Sequence, residues 1–170
     1  MPKFVADSSV SPTGLKWAAP ASGATFAGCV LTKSTGQSIT ENTATKVSFN
    51  TESIDTDGYH DNSTNNTRIT IPTGKGGKYL IIATCTWAAN ATGLKSYGIL
   101  KNGSTSLNQV NNVNSSGTIQ LSQQNHFIAD LVATDYIELD AYHQSGTPVS
   151  ILGNDTAAAF SQFSVTLLGS

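Results

Sequence analysis

Charged residues are scarce in this chain. They make up 12% of its 170 residues, against about 25% in an ordinary soluble domain. The formal net charge of −2 offers no positive surface to hold a phosphate backbone. No apolar run approaches the about 18 residues of a membrane span. The first residues, MPKF, also lack the apolar stretch of a secretory signal. We therefore expect neither nucleic acid nor a membrane as a partner.

Strong helix formers are also few. Leu, Met, Lys, Glu and Arg are outnumbered by Thr, Ser, Val, Ile and Gly, a composition that favours strands over helices. Only two cysteines are present, Cys29 and Cys85, and each lies in an apolar, strand-like run. We interpret both as small buried side chains rather than as a disulfide or a nucleophile.

Short strands separated by turn signals fill residues 26–170. The runs ATKVSFN, TRITIP and DYIELDAYH alternate between apolar and polar residues. The run GKYLIIATCTW differs because it is apolar on both faces, with Tyr79 and Ile81 on one and Leu80 and Ile82 on the other. Asn102-Gly103 is the favoured pair for a tight hairpin. Roughly eight to ten strands without a helix indicate a sandwich or jelly roll.

Residues 1–25 read as an extended N-terminal arm. They contain three prolines and no hydrophobic period, which distinguishes them from the domain that follows. The arm nevertheless carries Phe4, Leu15 and Trp17, and a solvated tail has little use for such side chains. We expect these three residues to anchor the arm, either on another protein or along its own domain.

One loop has the composition of a cation site. Asp55, Asp57 and Asp61 supply oxygen ligands at alternating positions around a glycine, so they could bind calcium. The alternative is a polar turn capped by its own aspartates. Elsewhere no phosphate-binding loop or zinc spacing occurs, and alternation alone explains the neighbouring carboxylates Glu138 and Asp140. We therefore predict no enzymatic activity and no cofactor apart from this calcium.

A surface rich in amides and hydroxyls is suited to binding sugars. Amide side chains donate and accept hydrogen bonds, as sugar hydroxyls do. The asparagine-rich turn from Asn62 to Asn66 is one candidate contact, and the turn at residues 111–116 is another. Tyr59 or Tyr142 could offer a ring face to the sugar, or pack at a subunit interface. Solubility alone would also explain such a surface.

Several segments in order resemble one superfamily. GKYLIIATCTWAAN, ILKNGST, LVATDYIELDAY and AFSQFSVTLLG resemble successive strands of the complement C-one-q globular head and its tumour-necrosis-factor-like relatives. Thr134-Asp135 stands where that family commonly has Gly-Asp. The resemblance covers residues 44–169. It implies an all-β, ten-strand antiparallel jelly-roll sandwich that forms a homotrimer, has no enzymatic activity and binds through its outer or apical surface.

A second resemblance concerns the arm. ADSSVSPTGLKWAAPASG is similar to a segment of tailed-bacteriophage structural proteins. Together the resemblances imply a virion protein, made in the host bacterial cytoplasm, whose arm docks on the major capsid protein or another virion protein. Because the chain begins with Met1 and has no long shaft, we expect a capsid decoration or head-fibre-like accessory. The alternative is a small tail or fibre-tip module that recognises a host surface glycan.

Overall fold

The computed structural model describes residues 4–6, 15–17, 25–113, 117–154 and 160–170, and these contain strands and no helix. No described segment therefore forms a helix long and apolar enough to cross a membrane. Fourteen strands are present. In chain order they are β1 (Phe4–Ala6), β2 (Leu15–Trp17), β3 (Gly28–Thr32), β4 (Gln37–Ile39), β5 (Thr45–Lys46), β6 (Thr51–Asp55), β7 (Arg68–Thr70), β8 (Gly77–Trp87), β9 (Leu94–Lys101), β10 (Thr105–Val113), β11 (Leu121–Leu131), β12 (Tyr136–His143), β13 (Val149–Ile151) and β14 (Gln162–Gly169).

Two antiparallel sheets form the domain. The large sheet has the order β4-β13-β8-β14-β3-β6, and β11 pairs with the other side of β8. The small sheet has the order β10-β9-β12-β5, and β7 also pairs with β12. This arrangement confirms the predicted jelly roll, in which the last strand of the chain lies inside the large sheet. The strand number exceeds ten because short pieces such as β4, β5 and β13 form separate strands.

The core lies between the inward faces of the two sheets. On β8 every second residue points into it, and the hairpin β9–β10 and the alternation of β12 follow the predicted pattern. Burial raises the pKa of the Cys85 thiol to about 12 and places that of Cys29 well above its usual range. Both thiols are free and buried, which confirms them as small core side chains. The largest fully buried side chains include Trp87, Tyr59, Tyr79, Tyr97, Phe49 and Phe163.

Two turns at one end of the domain are tied together by a polar network. Asn102 and Gly103 both have positive φ angles, as the predicted tight hairpin requires. Asn102 Nδ2 donates to Asp135 Oδ1 at 2.8 Å, and Lys101 Nζ lies 2.6 Å from Asp135 Oδ2. Burial opposes the charge of this carboxylate, but the bonds from Lys101 and Asn102 outweigh it and lower the pKa. Asn102, Gly103 and Asp135 belong to the segments that resemble the family, and their role here is to hold the two turns together.

The arm contains a short antiparallel pair of strands. β1 and β2 align Phe4 with Trp17, Val5 with Lys16 and Ala6 with Leu15. Phe4, Leu15 and Trp17, the three predicted anchors, all belong to this pair of strands.

Thr134 is strained, and we predict that replacing it with glycine stabilises the fold. Its φ of 73° lies in the left-handed region, which is unfavourable for a β-branched residue. The side chain is exposed, so little packing is lost. We expect Thr134→Gly to raise the free energy of unfolding by about 1 kcal/mol in chemical denaturation. Thr70→Gly, inside β7, should lower it by about 0.5–1 kcal/mol. A destabilised Thr134→Gly variant would contradict this explanation.

Candidate functional site

An apolar row crosses the outward side of the large sheet. The strand register aligns His126 with Ile82, Ile82 with Ser164, Ser164 with Val30, and Val30 with Ile54. His126, Ile82 and Val30 alternate with more buried residues on their strands, so this row lies on the face turned away from the core, where Ser164 is itself only 7% exposed. Three of the five are branched aliphatic residues, and Ile54 is 47% exposed.

The next row continues this apolar surface toward the end where β3 begins and β14 finishes, which we call the arm end. Ile128 aligns with Leu80, and Leu80 with Thr166. Ile128 is 61% exposed, and Leu168 and Phe26, farther toward the arm end, are 53% and 45% exposed. We call this surface the apolar face; it consists of Phe26, Val30, Ile54, Leu80, Ile82, Ile128 and Leu168.

A cavity of about 320 Å³ lies at the arm end of the apolar face. Ile128 and Leu168 provide apolar walls, and Lys78 and Asp130 form an ion pair of 2.8 Å at its edge. Both charged side chains are largely exposed, so this pair contributes little to stability. The remaining lining residues are Gly77, Gly169 and Ser170.

The outward side of the small sheet is polar, and we call it the polar face. Glu138 and Asp140 lie on it and share one cation, because Lys46 Nζ is 3.7 Å from Glu138 Oε2 and 3.5 Å from Asp140 Oδ1. Thr67 also donates to Glu138 Oε1 at 3.1 Å. The sequence had placed both carboxylates on one outward face, and the structure adds the cation that pairs with them.

Tyr142 lies on the polar face at the end opposite the arm, which we call the far end. Its hydroxyl donates to Asn42 Oδ1 at 3.1 Å and accepts from Gln144 Nε2 at 3.0 Å. The ring is partly exposed. Tyr142, one of the predicted sugar-contact residues, is therefore held in place by two amide side chains that the sequence analysis did not identify. Asn42 and Gln144 lie in separate loops, so no spacing along the chain indicates their proximity.

The other predicted contact residues lie elsewhere. Tyr59 is 1% exposed, and its hydroxyl bonds to that of Tyr79 at 3.1 Å. The prediction that Tyr59 offers a ring to a ligand is wrong, because it packs in the core, where burial raises the pKa of its phenol. Asn62 and Asn66 lie in the loop before β7, which pairs with β12 at Glu138. That position is four residues from Tyr142, or about 13 Å along the strand. These asparagines and Tyr142 thus form no common site.

The three aspartates of the predicted calcium loop have separate protein partners. Asp55 accepts bonds from the backbone N–H groups of residues 57–60. Asp57 pairs with Lys75 Nζ at 2.8 Å, a hydrogen bond that lowers the pKa of Asp57. Asp61 Oδ1 accepts from Ser63 N and Thr64 N, and these bonds hold its pKa well below the usual range. In the described part of the chain, no group of three or more His, Cys, Asp or Glu side chains could hold a metal.

Comparison with known proteins identifies the fold class. No family model matches the chain, and no curated protein does. Among solved structures, murine APRIL at pH 5.0 superposes with a TM-score of 0.62 and 11% identity, covering 85% of this chain and 100% of that one. The globular domain of zebrafish complement 1qA gives 0.60 and 14%, covering 84% and 98%. Eiger TNF from S. frugiperda gives 0.59 and 13%, covering 85% and 94%. The fold is therefore a TNF- and C1q-like jelly roll, in agreement with the superfamily resemblance of the sequence.

We predict that calcium has no effect on the stability of this fold. A ligand that binds only the folded state at a hundred times its dissociation constant would stabilise it by about 2.7 kcal/mol. Because Asp55, Asp57 and Asp61 already accept bonds from protein donors, the melting temperature should be the same in millimolar calcium and in EDTA. A rise with calcium that is lost in Asp57→Asn would instead support the calcium hypothesis.

Proposed function

We propose that this chain is a non-enzymatic bacteriophage structural protein, a homotrimeric capsid decoration or head-fibre-like accessory displayed on the virion. The observation that carries the homotrimer is the apolar face. The phage assignment rests on the resemblance of the arm and of the superfamily segments in the sequence. The proposed docking partner is the major capsid protein or another virion protein.

The apolar face supports self-association because a low-charge monomer would leave it in water. Leu80 and Ile82 lie on the outer side of β8, whose inner side already fills the core. Large exposed apolar patches usually mark interaction sites. A closed ring of identical copies, in which one surface of each chain packs on a different surface of the next, covers such a patch without growing into a filament. The family resemblance specifies three copies.

The two ends of the domain support a display role. The arm enters at the arm end, where β3 begins at Gly28 and the C-terminal strand finishes. The loops at residues 88–93 and 144–148 lie at the far end, because β8 and β12 both finish there. Docking through the arm would therefore turn the far-end loops and the adjoining part of the polar face outward.

A second candidate function, recognition of a host surface glycan, is favoured by the polar face. Its far end carries amide and hydroxyl groups around Tyr142. Rigid sandwiches commonly present recognition groups at one end without changing the core. A decoration and a glycan-binding module are compatible, since the first uses the arm end and the second the far end.

The homotrimer prediction can be tested with a matched pair of exposed isoleucines. Ile128, on the apolar face, is 61% exposed and Ile119, in a far-end turn, is 60% exposed. Wild type should sediment at three times its 17.7 kDa mass. Burying isoleucine supplies about 1.5–3 kcal/mol, and an unpaired aspartate there is unfavourable. Ile128→Asp should therefore weaken assembly by at least about tenfold, whereas Ile119→Asp should not. A wild-type monomer at micromolar concentration would contradict the homotrimer.

The arm should be dispensable for trimer folding and required for attachment to the particle. The strand register provides two double variants for this test, because Phe4 aligns with Trp17 and Val5 aligns with Lys16. We expect alanine at Phe4 and Trp17 to abolish attachment, because each aromatic side chain could contribute about 1.5–3 kcal/mol to the contact. Alanine at Val5 and Lys16 should leave occupancy unchanged. If a chain lacking residues 1–25 misfolds, or attaches at full occupancy, the anchoring role is wrong.

A further inference from the structure

The middle strand of the polar face forms the floor of a trough. On β9 the side chains of Lys95, Tyr97 and Ile99 point into the core, so Ser96 and Gly98 belong to the outward side, where Ser96 is 2% exposed and Gly98 is partly exposed. Glycine has no side chain, and the side chain of serine is among the smallest. The strands on either side, β10 and β12, lie about 9.5 Å apart, which is two strand spacings.

Longer polar side chains form the two walls of this trough. Gln109 and Asn111 of β10 align with Gly98 and Ser96. Asp140 and Tyr142 of β12 align with the same two residues from the other side. Two rows of three residues result: Gln109, Gly98 and Asp140 in one, and Asn111, Ser96 and Tyr142 in the other.

The walls offer both hydrogen-bond donors and acceptors. Gln109 Nε2 donates to Asn111 Oδ1 at 3.1 Å, and Gln109 Oε1 and Asn111 Nδ2 have no partner among the described residues. Across the trough, Asp140 Oδ1 faces Lys46 at 3.5 Å, and its Oδ2 has no partner among the described residues. The Tyr142 phenol is held by Asn42 and Gln144.

We propose that this trough is a saccharide-binding site for a neutral sugar with adjacent hydroxyls. A carboxylate oxygen and an amide oxygen accept bonds from hydroxyls, and the Asn111 amide donates to a hydroxyl oxygen. The partly exposed ring of Tyr142 gives the sugar an apolar contact. Asp140 and Glu138 share Lys46, so negative charge exceeds positive charge there, and the site disfavours an anionic sugar and suits a neutral one. This inference deepens the glycan-recognition candidate, and it depends on the polar face staying uncovered when the apolar face is buried.

Gly98 permits a direct steric test. A Cβ added there would meet only Asn108 O, at 3.6 Å, an ordinary contact, and its φ is not positive. Gly98→Val should therefore fold while its side chain fills the floor. Gly36→Val is the matched control, because a Cβ at Gly36 also has an ordinary contact, 3.5 Å from Ile151 O, in a turn outside the trough.

The measurement is saturation-transfer NMR with glucose, galactose, mannose, N-acetylglucosamine and lactose at millimolar concentration. We expect wild type and Gly36→Val to transfer saturation to at least one sugar, and Gly98→Val and Asn111→Ala to bind it at least tenfold more weakly. Asn111→Ala removes an exposed side chain and covers the case in which Gly98→Val fails to fold. No transfer to any of the sugars with wild type, or unchanged transfer with both folded trough variants, would overturn the proposal. If the protein is a trimer but binds none of the sugars, the saccharide site is wrong and the homotrimer stands. If the protein binds a sugar as a monomer, the homotrimer is wrong and the saccharide site stands.

Discussion

Strand β8 is apolar on both sides, and the rest of the structure depends on how each side is covered. Tyr79, Ile81 and the following alternate residues fill the core between the two sheets. Leu80 and Ile82 face outward, where Val30 of β3 and Ile128 of β11 extend the same surface. Folding of one chain satisfies the first side only. The association between copies that we propose would cover the second side, so the same strand would serve both the core and the assembly.

In the proposed function, the two outward faces of the sandwich have different roles. We propose that the apolar face of the large sheet contacts other copies and that the polar face of the small sheet stays in water. The arm enters at one end, and its two strands, β1 and β2, contain Phe4, Leu15 and Trp17. The trough around Gly98 lies on the small sheet, away from the apolar face. Anchoring, assembly and ligand recognition are thereby assigned to separate surfaces of one small domain.

Most of the fold could be predicted from the sequence because alternation, turn signals and the two-sided β8 are local patterns. The trough could not, since β10 has a bulge between Ser106 and Asn108 that shifts its register on β9 by one residue. Without the bulge, Asn108 and Val110 would face outward in place of Gln109 and Asn111. The burial of Tyr59 could not be predicted, because Asp57 and Asp61 on either side of it indicate an exposed loop. Thr134 stands where the family commonly has glycine, but only the structure shows its positive φ.

The most direct test of the central claim, that the outer side of β8 is covered by copies of the same chain, is a crystal structure of the purified full chain. We predict copies around a threefold axis, with Leu80, Ile82 and Ile128 in the contact between subunits and the trough at Gly98 open to solvent. A structure in which these three side chains face solvent in every copy, or in which the small sheet forms the contact instead, would contradict the account.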